Sequence, residues 1–462
     1  MNLPSLPDGI GQTITQPSEI ERFLVDFSGR LKGHAQCVAQ PSSTAEVARL
    51  VQWCHAHQVA LVPQGGNTGL VGGSVPTVPQ PTVLLSTSQL NKLRAIDTYG
   101  NTITVEAGMV LQQLQATARD NGRLFPLSLG AEGSCTVGGN LSTNAGGTAV
   151  LRYGNMRDLC LGLEVVLPNG EILSALNCLR KDNTGYDLKN LFIGAEGTLG
   201  IITAATLKLF PVPAAKVTAW CAIDSPAQAL KLLSLAQSQL GPALTAFELM
   251  SDYCVRLVEE KFADSPRILD ERSPWYILME SSDQDSEAHA IQKFEELMEQ
   301  AYDAGVVSDA AIAQTHQQSA AFWRLRERIG LSQKRNFKHD ISLPIGTIPR
   351  FIDETRMLLD AQCPGHTLVV LGHIGDGNLH YNVEPPPATP ASEFVVLEGR
   401  VHEIIYDKVM SLGGSISAEH GIGSFKTADL LRYKSPVAIA LMRKIKAVID
   451  PHAVLNPGKV LA

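Results

Sequence analysis

Four side chains in the C-terminal third of the chain carry metal and acid–base chemistry. They are His373 and His380 in GHIGDGNLHYNV (372–383), and Glu419 and His420 in GGSISAEHGIG (413–423). Two imidazoles and a carboxylate suit Zn²⁺ first, with Mn²⁺, Fe²⁺ or Co²⁺ as alternatives, and leave coordination positions open for a substrate. His420 is not needed as a ligand. It is placed to touch a substrate hydroxyl and take its proton, because imidazole titrates near neutral pH. A lone histidine pair is ordinarily structural, so the spacing matters. Asp-Gly is a strong hairpin signal, since a type I′ turn needs positive φ at both central residues. It lies between two strand-like runs, TLVVL (367–371) and LHYNV (379–383). A two-residue turn at Asp376-Gly377 puts His373 directly opposite His380, with β-carbons about 5 Å apart. Asn382 has the parity of His380, shares its face, and is expected to donate to the substrate. The Gly-x-Gly after His420 allows a sharp bend, so Glu419 and His420 can serve one cleft.

Three glycine-dense segments precede this region. VPQGGNTGLVGGS (62–74) holds Gly65, Gly66, Gly69, Gly72 and Gly73. PLSLGAEGSCTVGGNLSTNAGGT (126–148) holds Gly130, Gly133, Gly138, Gly139, Gly146 and Gly147, interleaved with Ser, Thr and Asn. LFIGAEGTLGIIT (191–203) holds Gly194, Gly197 and Gly200. Glycine at this density lets successive backbone N–H groups approach a phosphate with no β-carbon in the way. No GxGxxG follows the first strand, which argues against a nicotinamide dinucleotide fold. Three separated clusters fit one large, extended cofactor held mainly by main chain.

The elements that must position these residues alternate between strand and helix. STAEVARLVQWCHAH (43–57) opens on a capping pattern of Ser43 or Thr44 with Glu46, and carries helical apolar spacing. The run ALVP (60–63) leads into the first glycine loop. TVLLS (82–86), TITVEAG (102–108) and LEVVLPNGEIL (163–173, an Asn-Gly hairpin) read as strands, and EAHAIQKFEELMEQAYDAG (287–305) reads as a helix. PVPAA (211–215) marks a hinge. The 462 residues call for two or three domains. A net charge of −8 without a Lys/Arg block argues against nucleic acid as a partner. Eight scattered cysteines without a CxxC pair exclude the usual zinc-ribbon and iron–sulfur spacings and fit a reduced compartment. No signal peptide or membrane-length apolar run is evident. The expectation is a cytoplasmic protein, with peripheral contact at a membrane still allowed.

VPQGGNTGLVGGS, GAEGSCTVGGNLSTNAGG and GAEGTLGIIT together resemble the FAD domain of the vanillyl-alcohol oxidase (PCMH) type. The nearest branch is the FAD-dependent D-2-hydroxyacid dehydrogenases, which includes D-2-hydroxyglutarate and D-lactate dehydrogenases and the glycolate oxidase catalytic subunit. The likeness spans about 36–460. It implies an α+β chain with an N-terminal segment (1–35), a PCMH-type FAD-binding domain (36–214), and an α+β FAD-linked oxidase C-terminal domain for substrate and metal (215–460). It implies that Pro63, Asn67, Thr68 and Leu70, with the first glycines, wrap the pyrophosphate. Ser134, Thr136, Asn140, Ser142, Thr143 and Asn144, with the second glycines, then complete the cleft together with Gly197, Gly200, Ile201, Ile202 and Asn456. Covalently flavinylated relatives carry a histidine in the first loop. Gly66-Asn67-Thr68 stands there instead, which implies non-covalent FAD.

In FWRLRERIGLSQKRNFKHDISLPI (322–345), Arg324 and Arg328 are i,i+4 neighbours on one side, while Arg326 projects elsewhere. The resemblance places a substrate-carboxylate arginine at Arg326 and a second cation at Lys338. Relatives acting on the five-carbon diacid often have a hydroxyl residue where this chain has Gly330. The expected activity is oxidation of a D-2-hydroxy acid, D-2-hydroxyglutarate first, to the 2-oxo acid by hydride transfer to flavin N5. Metal would bind the C2 hydroxyl and carboxylate, and His420 would be the base. D-lactate dehydrogenase or glycolate oxidase subunit is the nearer alternative, and a metallohydrolase the more distant one. With no iron–sulfur motif in the chain, electrons need an external acceptor: an electron-transfer flavoprotein, a quinone or partner subunits. A homodimer is compatible with all of this.

Overall fold

The computed structural model describes residues 3–461. The chain divides into two compact units. One comprises the chain through Gly146, Gly154–Val212 and Glu419 onward; the other comprises Gly147–Tyr153 and Pro213–Ala418. This differs from the linear division at 214/215. The C-terminal segment belongs with the first unit because Leu455 bridges Leu61 and Asn456 N–H donates to Leu61 O (2.8 Å). The short 147–153 stretch belongs with the second, where Arg152 donates to the Ala243 and Ser282 carbonyls.

The first unit holds a four-stranded sheet in the order Gln12–Ile14, Cys37–Gln40, Thr82–Ser86, Ala60–Gln64, its last three strands parallel. The N-terminal segment therefore contributes an edge strand. A second sheet is antiparallel: Leu93–Asp97, Thr102–Glu106, Ile201–Lys208, Cys160–Val166, Ile172–Ala175. Helix Thr44–His57 starts where Ser43 Oγ accepts from Glu46 N and stops at Gln58 in the left-handed region (φ 54°). Its apolar face, Val47, Leu50, Val51 and Cys54, packs into a core shared with Leu61, Val83, Val166 and Leu455. That core anchors the strand Ala60–Gln64, from whose end the first glycine loop departs.

The second unit is built on a seven-stranded antiparallel sheet. Its order is Asp309–Ile312, Ala215–Ile223, Trp275–Asp283, Leu244–Ser251, Thr367–Gly372, Asn378–Glu384, Asp340–Ser342. Helices including Glu287–Asp303 and His316–Ser332 accompany it.

The hairpin of the histidines corrects the expected register. Leu371, not His373, faces His380, and residues 373–377 form a five-residue loop. The loop closes as two overlapping turns, Asp376 N to His373 O (3.1 Å) and Gly377 N to Ile374 O (3.3 Å). Gly377 has a positive φ (88°) but Asp376 does not, so no type I′ turn forms. The cause lies outside the hairpin. The Asn378 amide donates to Asp340 Oδ1 and Ile341 O (both 2.9 Å), which locks Asn378 into the ladder. A one-residue slip would have turned every side chain to the other face; this slip of two keeps the faces. His373 and His380 still meet, ring centroids 5.7 Å apart and near perpendicular.

Candidate active site

In the first unit a cleft opens above the strand Ala60–Gln64. Of the residues expected at a cofactor, Pro63, Gly65, Gly66, Asn67, Thr68, Gly69, Gly73, Thr136, Gly138, Gly139, Asn140, Ser142, Thr143, Gly197, Gly200, Ile201 and Ile202 line it. His420 lines the same cleft, which brings the expected base to the glycine loops. Gln64, Ser74, Thr87, Cys135 and Glu196 also line it and had no signal in the sequence distinct from ordinary strand or loop residues.

Leu70, Gly72, Gly130, Gly133, Ser134, Asn144, Gly146, Gly147 and Asn456 are not among the lining residues. Several of these build the wall from behind. Ser134 O abuts Gly66, Asn144 Oδ1 accepts from Arg157 N (2.9 Å), and the Asn456 amide donates to Gly73 O (3.0 Å) and Glu196 O (2.7 Å).

The cleft suits an extended phosphate-bearing cofactor. A β-carbon on Gly65 would lie 2.3 Å from Thr136 Oγ1, and one on Gly66 would lie 1.9 Å from Ser134 O. Glycine is therefore required for the two loops to touch. Gly69, by contrast, has no protein atom near its missing side chain. The N–H groups of Gly66 to Gly69 donate to no acceptor among the described residues. Backbone donors lining a cleft without internal partners are available to an outside acceptor, and a pyrophosphate is one such acceptor.

Glu196 fixes the segment that carries His420. Its backbone is left-handed (φ 51°), and its carboxylate accepts from Ile422 N (2.7 Å) and Gly423 N (2.8 Å). Burial pushes its carboxyl up, opposed by those two N–H donors and by Lys459 and Lys426. Gly421 and Gly423, both at positive φ, give the backbone the bend that presents both N–H groups to one carboxylate.

In the second unit the histidine hairpin lies beside buried acids that the sequence reading missed. Asp340 Oδ1 is 3.8 Å from His380 Nδ1, and the Asp340 backbone and carboxylate accept from Ala418 N (3.3 and 3.2 Å). Glu248, in mid-strand Leu244–Ser251, is fully buried. Its Oε1 accepts from His373 Nδ1 (2.6 Å), its Oε2 accepts from Arg326 Nε (2.9 Å), and Arg326 Nη2 pairs with the same oxygen at 2.8 Å. Burial alone would raise this carboxyl. The contacts with His373 and the Arg326 guanidinium win and hold it down at about 2.

The helix His316–Ser332 places the three arginines as its periodicity requires. Phe322, Leu325 and Ile329 are buried, Arg328 pairs outward with Asp264 (2.8 and 2.9 Å), and Arg326 turns inward with its side chain 13% exposed. Lys338 is exposed, and Gly330 has open space where a side chain would stand. The Asn382 side-chain amide accepts from His339 N (3.0 Å) and donates to Gln333 Oε1 (2.9 Å), which uses one of its two hydrogens.

Residues 35–175 match the family described as FAD binding domain, and residues 212–460 match FAD linked oxidases, C-terminal domain. The bovine mitochondrial D-2-hydroxyglutarate dehydrogenase is 40% identical over 455 residues, covering 98% of this chain and 81% of the relative. The D-2-hydroxyglutarate dehydrogenase of Xanthomonas citri pv. viticola is 41% identical, covering 96% and 93%. A putative mitochondrial D-lactate dehydrogenase of Schizosaccharomyces pombe is 36% identical, covering 98% and 87%. Among solved structures, p-cresol methylhydroxylase superposes with a TM-score of 0.76 at 15% identity, covering 97% of this chain and 93% of that one. The 4-ethylphenol oxidase from Gulosibacter chungangensis superposes at 0.72 and 18% identity, covering 97% and 94%. These likenesses show the vanillyl-alcohol oxidase (PCMH-type) fold, and the FAD domain excludes the metallohydrolase alternative. The chain belongs to the FAD-linked oxidase family, among the FAD-dependent D-2-hydroxyacid dehydrogenases, and is an FAD-dependent oxidoreductase.

Proposed function

We propose that the protein oxidises D-2-hydroxyglutarate to 2-oxoglutarate, using non-covalent FAD and a divalent metal, with zinc favoured. The observation that carries the substrate is the state of Arg326. One edge of its guanidinium, Nε and Nη2, is spent on Glu248; Nη1 has no hydrogen-bond partner among the described residues. A second carboxylate entering a closed site must be met by a fixed cation, and Nη1 offers one. A monoacid has no second carboxylate to place there. The names of the relatives at about 40% identity agree with this choice.

FAD, when bound, supplies the acceptor for the hydride from C2; a metal ion, when bound, supplies a Lewis acid for the C2 hydroxyl and carboxylate. The chain's residues do the rest. His373, His380 and Glu419 hold the metal, and the covalent chain supports this grouping. Ala418 is bonded to Asp340 beside His380, and Glu419 is the next residue. His420 takes the hydroxyl proton. Arg326 and Lys338 neutralise the distal carboxylate, and Asn382 donates its remaining hydrogen. The backbone of 65–69 and the 136–143 segment hold the cofactor. Two electrons must then leave to an external acceptor, which we assign to an electron-transfer flavoprotein, a quinone or a partner subunit. Among the described residues no helix is long and apolar enough to cross a membrane; we assign the enzyme to the cytoplasm, with peripheral contact at a membrane allowed.

The test is anaerobic flavin bleaching by D-2-hydroxyglutarate, its distal amide (5-carboxamide), D-malate and D-lactate. Removing the distal charge while keeping its shape should raise KM by at least about 30-fold, the equivalent of roughly 2 kcal/mol for a charge-assisted contact. Equal kcat/KM for the diacid and its amide would overturn the diacid reading, and D-lactate would take its place.

A further inference from the structure

We infer that Glu248 is the positioning residue of the second unit: one buried carboxylate that both sets the metal-binding tautomer of His373 and splints Arg326. The inference rests on the metal and substrate reading above and extends it to a residue with no expected role. Glu248 lies in mid-sheet between Phe247 and Leu249, all three fully or almost fully buried. A charge at such a place is costly, and a buried ion pair replaced by apolar groups of similar volume is often no less stable. The strand nevertheless keeps an acid there and meets it with two charge-assisted hydrogen bonds and a further ion-pair contact from Arg326 Nη2.

The geometry gives that acid two functions. A carboxylate oxygen can only accept, so the 2.6 Å contact requires a proton on His373 Nδ1 and leaves Nε2 as the ring's metal-binding nitrogen. The other oxygen accepts from Arg326 Nε and pairs with Nη2 at 2.8 Å, which fixes the guanidinium plane, and Nη1 has no hydrogen-bond partner among the described residues. The loop His373 and the helix residue Arg326 are 47 positions apart in sequence. Glu248 makes them one body.

The experiment uses the FAD-loaded full chain. Zinc affinity is measured by competition with a chromophoric chelator at neutral pH for wild type and Glu248→Gln, with FAD content and Tm recorded alongside. The amide is isosteric but cannot satisfy both partners, since it meets one of them with N–H groups. The expected result is about 10- to 100-fold weaker zinc binding, the usual effect of losing a partner behind a metal ligand. KM for the diacid should rise and FAD stoichiometry should be unchanged. Unchanged zinc affinity and unchanged KM in a folded variant would overturn the inference.

Should Glu248→Gln fail to fold, wild type decides. Histidine ¹⁵N spectra, with the His373 signals assigned by their loss in His373→Gln, should show Nδ1–H in the metal-free protein, and zinc should then shift Nε2. An Nε2–H tautomer overturns the inference. The two readings fail separately. A wild-type protein that binds no zinc and whose flavin no 2-hydroxy acid bleaches refutes the proposed function, while the tautomer still decides the role of Glu248.

Discussion

Gly66 and Gly69 stand three residues apart in one loop, and the structure predicts opposite behaviour when each becomes alanine. A β-carbon on Gly66 would sit 1.9 Å from Ser134 O, 2.8 Å from Ser134 C and 3.0 Å from Cys135 Cα, all backbone atoms. Carbon–oxygen contacts settle at about 3.3 Å, so the two cofactor loops must separate by roughly 1.4 Å. Overpacking of this kind costs about 1–3 kcal/mol, which lowers the apoprotein's Tm. If the same displacement is charged to cofactor binding, it weakens FAD by about 5- to 150-fold at 1.4 kcal/mol per decade. Gly69 lines the same cleft, has no protein atom within 4 Å of the new carbon, and does not have positive φ. Gly69→Ala should therefore leave the apoprotein as stable as wild type or up to about 1 kcal/mol more stable, through the unfolded chain. It should still weaken FAD, because only the cofactor meets its methyl group. The assay pairs thermal unfolding of the apoproteins with FAD titration followed by flavin fluorescence quenching. Wild-type FAD affinity in Gly69→Ala would refute a pyrophosphate lying against this loop. Full stability in Gly66→Ala would refute the loop contact itself.

Three further outcomes follow from other parts of the site. His420→Asn should slow anaerobic flavin reduction by about 10²–10⁴-fold with FAD and metal retained; an unchanged rate across neutral pH removes His420 as the base. Glu196→Gln keeps one acceptor oxygen for two backbone donors, so stability should fall by about 1–3 kcal/mol and flavin reduction should slow as His420 loosens, with melts and stopped-flow traces unmoved if the anchor is idle. Lys459 is buried and burial lowers its pKa to about 8, partly offset by Glu196. A lysine with a lowered folded pKa binds its proton less tightly than the unfolded chain does, so its penalty is full below about pH 8 and is relieved as pH rises towards 10.5. Stability should climb in that window by on the order of 3 kcal/mol, and Lys459→Met should flatten the climb in denaturant titrations at pH 7.5, 9 and 10.

Much of the site is local chemistry and could be read along the chain. The helix Thr44–His57 begins where Ser43 and Glu46 make a cap, because capping involves residues three apart. The glycine loops could be recognised because close backbone approach removes side chains wherever it occurs. The inward turn of Arg326 followed from helical periodicity, since 322, 325 and 329 on the same turns are apolar and Arg324 and Arg328 share another side. The meeting of His373 with His380 was legible for a similar reason: strand parity survives any slip of two residues.

What could not be read was whatever depends on a distant partner. The hairpin register was decided by Asp340 and Ile341, nearly forty residues upstream of Asn378, whose hydrogen bonds outweighed the local preference of Asp-Gly for a two-residue turn. Glu248, Asp340 and Glu196 are ordinary acids in ordinary strand or loop contexts. Only folding shows that one joins His373 to Arg326, another sits beside His380, and the third clamps the backbone after His420. By itself the sequence determined which residue types stand in which local elements, because propensity, periodicity and capping act over a few positions. The tertiary structure alone decided which buried charge meets which partner, because that pairing is set by the cost of leaving a carboxylate unsatisfied in a core assembled from remote segments.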